Sequence, residues 1–473
     1  RVGKGGSVTV KYDTGIGTWH SITAIRNFNG KLFNFDFDAV DGRTSDGLDS
    51  TEGFAYQNTT LRSLSQEVRL DWRIGEKIDV TSGLYYLDED QYRIEHLAAS
   101  GLVGSSWRDD PPDGHGPADL PRDILDQSMN TKSFAVFSDA RFHLTSKATL
   151  SLGARWSNDK KTGTTQCWQV GAFFCADVYK TGYSASWSEP SWRVTLDYKA
   201  LENIMGYMSV ARGYKSGGFS NSASGDGPAA YVAPLLATPY KPEFSTSYEA
   251  GLRMQFADRR LTVNPTLFYV EYKDIQFLFL KQDSNSFISG NIGGGKNKGL
   301  ELDVDFRATD DLTLWASYAY QDSKYTAGLS YDVPILGNML QLTPKRSLTA
   351  GFDYKRSLGN GRAVTFSGDL VQKSRQYDDA TNDPIASTEF KELVNLRLGF
   401  APTEKTEVAL WVNNLLDKRN ALGTNQLGYF IYSTAQSAAD PATAARRARP
   451  SRGAACRPRS AGSAPGSPGR GGS

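Results

Sequence analysis

Histidine, methionine and cysteine are all scarce in this 473-residue chain, with 4, 5 and 3 copies. His20, His96, His115 and His143 show no metal-ligand spacing, so no metal site is expected. Asp109, Asp110 and Asp113 lie in an acidic Pro/Gly loop without EF-hand spacing, which reads as a solvated loop. No serine, cysteine or carboxylate set stands out as catalytic, and neither GKGG at 3–6 nor GGG at 293–295 opens a helix that could cradle phosphate. No catalytic residue and no cofactor is expected. An excess of one charge is also lacking, with 53 basic against 52 acidic residues, so nothing marks a nucleic-acid binder. No run of about 18 apolar residues occurs, which excludes a helical membrane span. A leader and an initiating Met are absent before Arg1, and a cleaved or cut N-terminus is expected.

What the chain has is aromatic side chains and glycine: 23 Tyr, 23 Phe, 9 Trp and 46 Gly. That supply suits many strands, tight turns and interfacial rings. Apolar and polar residues alternate with a period of two. Val68, Leu70, Trp72 and Ile74 oppose Glu67, Arg69, Asp71 and Arg73. Phe134, Val136, Ala140 and Phe142 oppose Asp139, Arg141 and His143. Leu300, Leu302, Val304 and Phe306 oppose Glu301, Asp303, Asp305 and Arg307, and the same split recurs over 394–400. Successive side chains of a strand point to opposite faces, so each segment has one apolar and one charged surface. Segments of about nine to thirteen residues match a tilted strand crossing a bilayer, and full charges at mid-segment suit a wet interior. Tyr85, Tyr86, Trp156, Tyr272 and Tyr320 near segment ends are expected at the membrane interface.

Connections alternate short and long. Short turns are expected at 13–16, 74–77, 144–147, 199–202, 257–259, 309–310, 357–361 and 401–405. Long connections are expected near 29–61, 89–131, 158–186, 214–242, 274–296, 324–343, 375–389 and from 415 onward. Eight hairpins give about sixteen strands of an all-β, antiparallel transmembrane barrel. Short turns face the periplasm, and long loops face outward.

Several stretches then resemble the barrel domain of TonB-dependent receptors: ARGYKSGGF at 211–219, PEFSTSYEAG at 242–251, FYVEYKDI at 268–275, NIGGGKNKGLELD at 291–303, TPK at 343–345 and LWVNNLLDKRN at 410–420. Their order and spacing carry the resemblance. The residues themselves read as scaffold: Gly217–Gly218 where a strand leaves the membrane, Pro242 and Pro344 near strand starts, Asn413 and Asn414 bonding nearby backbone. The resemblance implies a barrel of about 22 strands with an N-terminal plug. It also implies location in the bacterial outer membrane, and uptake of a siderophore, vitamin or oligosaccharide driven through the TonB complex by way of the plug. A passive porin-like channel is the alternative.

On that reading, residues 1–433 are a partial barrel without the plug and first strands, and the sheet is expected to have two open edges. Residues 434–473 are Ala, Arg, Pro, Gly and Ser without an aromatic, so they are expected to be disordered. An out-of-frame end of a GC-rich gene gives such a composition, and a genuine basic tail is the alternative. Cys167 and Cys175 are expected to staple an outward loop by a disulfide, with two free thiols as the alternative, and Cys456 falls in the tail. Phe219, Phe277, Phe279, Tyr377 and Tyr429 are candidate aromatics of a ligand vestibule. Outer-membrane lipid and a small-molecule or oligosaccharide ligand are the expected partners, and a monomer is expected.

Overall fold

The structure, a computed structural model, describes residues 2–36, 53–99, 122–169, 177–220, 229–281, 286–330 and 333–421. All described elements fall in one compact unit, Arg1–Asn425. Strands β1 (Val2–Thr14) to β12 (Leu312–Ser330) follow one another as β2 Gly17–Asp36, β3 Gly53–Ile74, β4 Ile78–Ala99, β5 Arg122–His143, β6 Ala148–Gln169, β7 Tyr179–Leu201, β8 Ile204–Lys215, β9 Glu243–Phe256, β10 Leu261–Lys281 and β11 Ser286–Arg307. After the two-residue β13 (Val333–Pro334) come β14 Arg346–Gly359, β15 Arg362–Tyr377, β16 Ser387–Thr403 and β17 Thr406–Val412. A helix, α1 (Ala229–Ala237), packs against β7.

All seventeen strands belong to one sheet. Each long strand pairs antiparallel with its chain neighbours, and β12 pairs with β14 directly, so the sheet is an uninterrupted meander. Each of the eight short turns overlaps its expected place. Among the described residues β1 pairs with β2 alone and β17 with β16 alone, so each leaves one edge unpaired.

Register keeps the two faces separate around the sheet. Val68 faces Leu84, Leu84 faces Val136 and Val136 faces Trp156. Further round, Leu152 faces Val194, Leu267 faces Leu300 and Phe366 faces Leu398. Val68 and Leu300 are half-buried and the others are exposed, Leu267 at 60% and Leu398 at 51%. A protein in water would not present such a belt, whereas a bilayer is its proper solvent. Across the sheet Arg73 faces Asp79, and Asp79 faces Arg141. That polar face is the inner one.

Strand length departs from the sequence reading. β3 to β7 have 22 or 23 residues each. At about 3.4 Å per residue and a tilt of 35–45°, such a strand rises about 55–60 Å, twice an apolar band of about 25 Å. The outer halves of these strands occupy most of what the alternation suggested were long connections. Beyond the bilayer both faces are wet, so sequences such as LDEDQY at 87–92 lose the apolar stripe while the backbone ladder continues.

Two of the expected interfacial aromatics lie elsewhere. Tyr85 is on the inner face, where the Arg155 guanidinium sits 5.4 Å from its ring centre. Tyr272 packs against a buried cluster at the outer end of the strands. Tyr86, Trp156 and Tyr320 are exposed on the apolar face.

Candidate functional site

The inner face divides into a charged zone near the short turns and an aromatic zone further out. In the charged zone, cross-strand neighbours place opposite charges within reach. His20 Nε2 lies 2.9 Å from Asp71 Oδ2, and Asp71 also accepts from Thr81 Oγ1 at 2.7 Å. Arg73 Nε donates to Asp79 Oδ1 at 2.6 Å, and His143 Nε2 lies 2.7 Å from Asp79 Oδ2. Arg193 Nη2 donates to Asp139 Oδ2 at 2.9 Å. A recess of about 800 Å³ opens beside Arg69, Asp71, Arg73, Asp79, Asp139 and Arg141. The strand period explains why so many charges converge: each comes from the residues between apolar ones, and neighbouring strands stack those positions in rows. Neither histidine joins a metal-binding group among the described residues.

The aromatic zone lies on β6 and β7. Phe219 is buried, stacked on Tyr183 with centroids 4.4 Å apart and edge-on to Trp187 at 6.2 Å. Lys161 Nζ sits 5.7 Å from the Trp187 ring centre and donates to the Gly217 carbonyl at 2.8 Å. Tyr214 hydrogen-bonds to Asp159. The chain after β8 thus folds onto the inner wall. Gly217 and Gly218 permit it, because a Cβ on Gly217 would meet Tyr240 O at 2.3 Å and the Trp187 indole at 2.4 Å. The Gly-Gly pair is required by close approach rather than by a strand end. Burial pushes the Tyr240 phenol above its usual pKa.

A second inward-packed unit caps β11 to β16. Ile292, Tyr325, Ile335, Leu340 and Ala380 form its buried core. Side-chain amides bind its loops together. Asn382 accepts from Met339 N at 2.6 Å and donates to Met339 O at 2.9 Å, and Asn338 Nδ2 donates to Ala380 O and Thr381 O, both at 3.0 Å. Asn291, from the NIGGG stretch, accepts from Lys241 N at 2.8 Å and donates to Asp274 O at 2.7 Å. Asn414 bonds Lys418 N and O, both at 3.0 Å.

Of the candidate vestibule aromatics, Phe219, Phe277 and Tyr377 have described side chains and sit on separate segments. Phe219 is buried, Phe277 is exposed near the outer end of β10, and Tyr377 is half-buried at the end of β15. The Phe279 side chain and all of Tyr429 lie outside the described residues, as do Asp109, Asp110, Asp113, His115, the side chain of His96, and residues 434–473. Cys167 is fully buried and disulfide-bonded. Cys175 lies outside the described residues. Sequence reading missed Lys161, Tyr183 and Trp187, which share inner-face parity but fall where a long connection was expected.

A meander with an apolar outer belt and a charged inner wall defines an outer-membrane β-barrel protein. The TonB dependent receptor-like β-barrel family matches residues 3–415, and the chain belongs to that family. Its relatives are outer-membrane proteins of Gram-negative bacteria, and so is this one. The pesticin receptor of Yersinia pestis is 26% identical over 295 residues, covering 61% of this chain and 39% of its own length. The catecholate siderophore receptor Fiu of Escherichia coli K12 is 24% identical over 330 residues, covering 66% and 41%. Among solved structures, the ferric yersiniabactin uptake receptor FyuA of Yersinia pestis superposes with a TM-score of 0.68 at 19% identity, covering 88% of this chain and 56% of that one. The copper transporter OprC gives 0.63 at 13% identity, covering 89% and 60%. The chain spans about two fifths of the length of the curated relatives it matches.

Proposed function

We propose that this chain is the barrel portion of a receptor that takes up a ferric siderophore across the outer membrane, driven through the TonB complex. The observation that carries the reading is the family match over residues 3–415, joined to curated relatives named as receptors for pesticin, a catecholate siderophore and ferric pyoverdine. The wall performs no chemistry in this reading. It holds a plug against the charged inner zone, and its outer aromatic and amide-bound units shape the approach, with Phe277 and Tyr377 as vestibule aromatics. TonB is reached through the plug. A Cys167–Cys175 disulfide ties the outer end of β6, and the protein is a lipid-embedded monomer.

The test is iron uptake. The complete receptor containing this barrel is expressed in cells lacking their own ferric-siderophore receptors, and radiolabelled iron is supplied as catecholate, phenolate or pyoverdine-type chelates. Accumulation of one class, abolished when TonB is deleted, is the expected result. Accumulation that persists without TonB would make the protein a passive pore. Uptake of none of them would remove the siderophore assignment.

A further inference from the structure

The lipid-facing belt is not filled evenly. Two adjacent outward rows cross β7 to β10, one through Leu196, Met208, Ala250 and Leu267, the other through Tyr198, Gly206 and Leu252. Met208, Leu252 and Leu267 project, whereas Gly206, Ala250 and Pro265 leave a groove of about 460 Å³ among them. The chain's own packing does not call for glycine at 206. A Cβ there would meet Leu252 at 3.4 Å and Gly251 O at 3.8 Å, which is ordinary contact. Gly251, on the inner face, differs: its Cβ would strike the Tyr207 ring at 2.5 Å. Pro265 adds a second feature. It has no N–H, and the β9–β10 pairing lapses between the Val263–Met254 and Thr266–Gly251 pairs. Arg253 answers from inside, donating from Nη1 to the Leu252 carbonyl at 3.2 Å, so the outside needs only apolar cover. Gly206 is two residues from the start of β8 and Leu267 six from the start of β10. At about 3.4 Å per residue and a tilt near 40°, the groove lies about 5–16 Å above the short turns, on the turn side of a band of about 25 Å. Beneath it Lys199 and Glu202 flank one turn, and Asp258 and Arg259 occupy the next. All four are exposed, and none has an ion-pair partner among the described residues.

We propose that this groove seats an acyl chain of a phosphatidylethanolamine from the turn-side leaflet, with its headgroup on the turns below. A slender chain fits where a helix, about 10–12 Å across, does not. A second barrel would bring a convex belt of its own, and two convex walls leave a groove empty. Walls on both sides give a seated chain more contacts than the flat belt does. The turns select the headgroup by charge. They offer both signs, and the headgroup carries a phosphate and a primary ammonium. The phosphate suits Lys199 and Arg259, and the ammonium donates to Glu202 and Asp258. A choline headgroup has no N–H to donate, and a glycerol headgroup has no cation. The inference rests on the membrane barrel and not on which solute the receptor carries.

The test inserts the full chain into vesicles of phosphatidylethanolamine, phosphatidylcholine and phosphatidylglycerol, in equal amounts and with identical acyl chains. The protein is extracted in mild detergent, and retained lipid is measured by mass spectrometry. Retention of phosphatidylethanolamine above both others is expected. Gly206→Leu/Ala250→Leu fills the groove and is expected to lower that retention by on the order of tenfold, the effect of about two methylenes losing their contacts. Val136→Leu, on the same belt at β5, should leave it unchanged. Glu202→Gln/Asp258→Asn should keep the seated chain but bring phosphatidylcholine to parity. Unaltered gel mobility without heating verifies that each variant is folded. Full retention by the groove-filled variant overturns the site while leaving the barrel intact, and so does equal retention of the three lipids by the unaltered chain. A chain that fails to enter any vesicle overturns both the site and the membrane reading.

Discussion

Tyr183 lies flat across Gly163, its register partner, and donates from Oη to the Ser128 carbonyl at 3.0 Å while Phe219 stacks on its ring. A Cβ at position 163 would sit 2.1 Å from Ser128 O and 2.7 Å from the Tyr183 hydroxyl. One missing side chain on β6 therefore lets a ring from β7 reach β5, and Phe219 closes over it.

Removing the covering ring should expose this contact. Phe219→Ala is expected to lower stability by about 3 kcal/mol, the scale of a buried aromatic truncation. Urea unfolding followed by tryptophan emission is the measurement, because Trp187 is edge-on to Phe219. An unchanged midpoint would mean that Phe219 does not anchor the segment after β8.

Gly299 should resist any side chain. A Cβ there would lie 2.0 Å from the Tyr320 carbonyl and 2.8 Å from the Phe268 ring. Gly299→Val is expected to cost at least about 1–3 kcal/mol through overpacking, read as a smaller folded fraction on unheated gels. Gly3→Val, with nothing within 4 Å of its Cβ, should be close to neutral.

The two faces predict opposite tolerance. Leu267→Arg puts a cation into the lipid-facing belt, where it should destabilise by about 2–4 kcal/mol at the midplane. Thr313→Arg places the same cation on the inner face opposite Asp353 and should be tolerated. Folding yield into vesicles compares the two, and equal losses would reverse the assignment of faces.

Asn382 clasps Met339 from both sides of its peptide group with φ at +60°, a conformation that asparagine adopts more readily than alanine. Asn382→Ala therefore loses two hydrogen bonds and adds strain. Amide exchange at Met339 should accelerate by about tenfold or more, since a net hydrogen bond contributes about 1 kcal/mol. Exchange at Phe352, in the β12–β14 ladder, should not change.

The membrane-crossing half of this fold was legible because lipid imposes a strict rule. Val68, Leu70, Trp72 and Ile74 could only be one face, and the turns at 75–77 and 144–147 follow from where that rule lapses. The outer half was not legible as strand. At Asp88 to Gln91 water bathes both sides, so side-chain chemistry carries no period even though Asp90 and Gln91 remain paired with Asn130 and Met129. The inner aromatic zone was hidden for the same reason. Tyr183 and Trp187 acquire meaning only when Phe219, more than thirty residues later, folds back on them. Tyr85 shows the converse limit: an aromatic beside a real interfacial one, Tyr86, takes the opposite face by parity alone.

The hydrogen-bonded wall continues well past the bilayer, and this governs how the molecule can move. Paired strands bend far less readily than unpaired chain, so this outer wall holds its shape. A solute arriving from outside would therefore enter a stiff chimney before it reached membrane height, and its search would shrink from three dimensions to passage along one axis. The outer strands then serve as a collector, lengthening the time a dilute solute spends near the inner wall without adding a single contact to it.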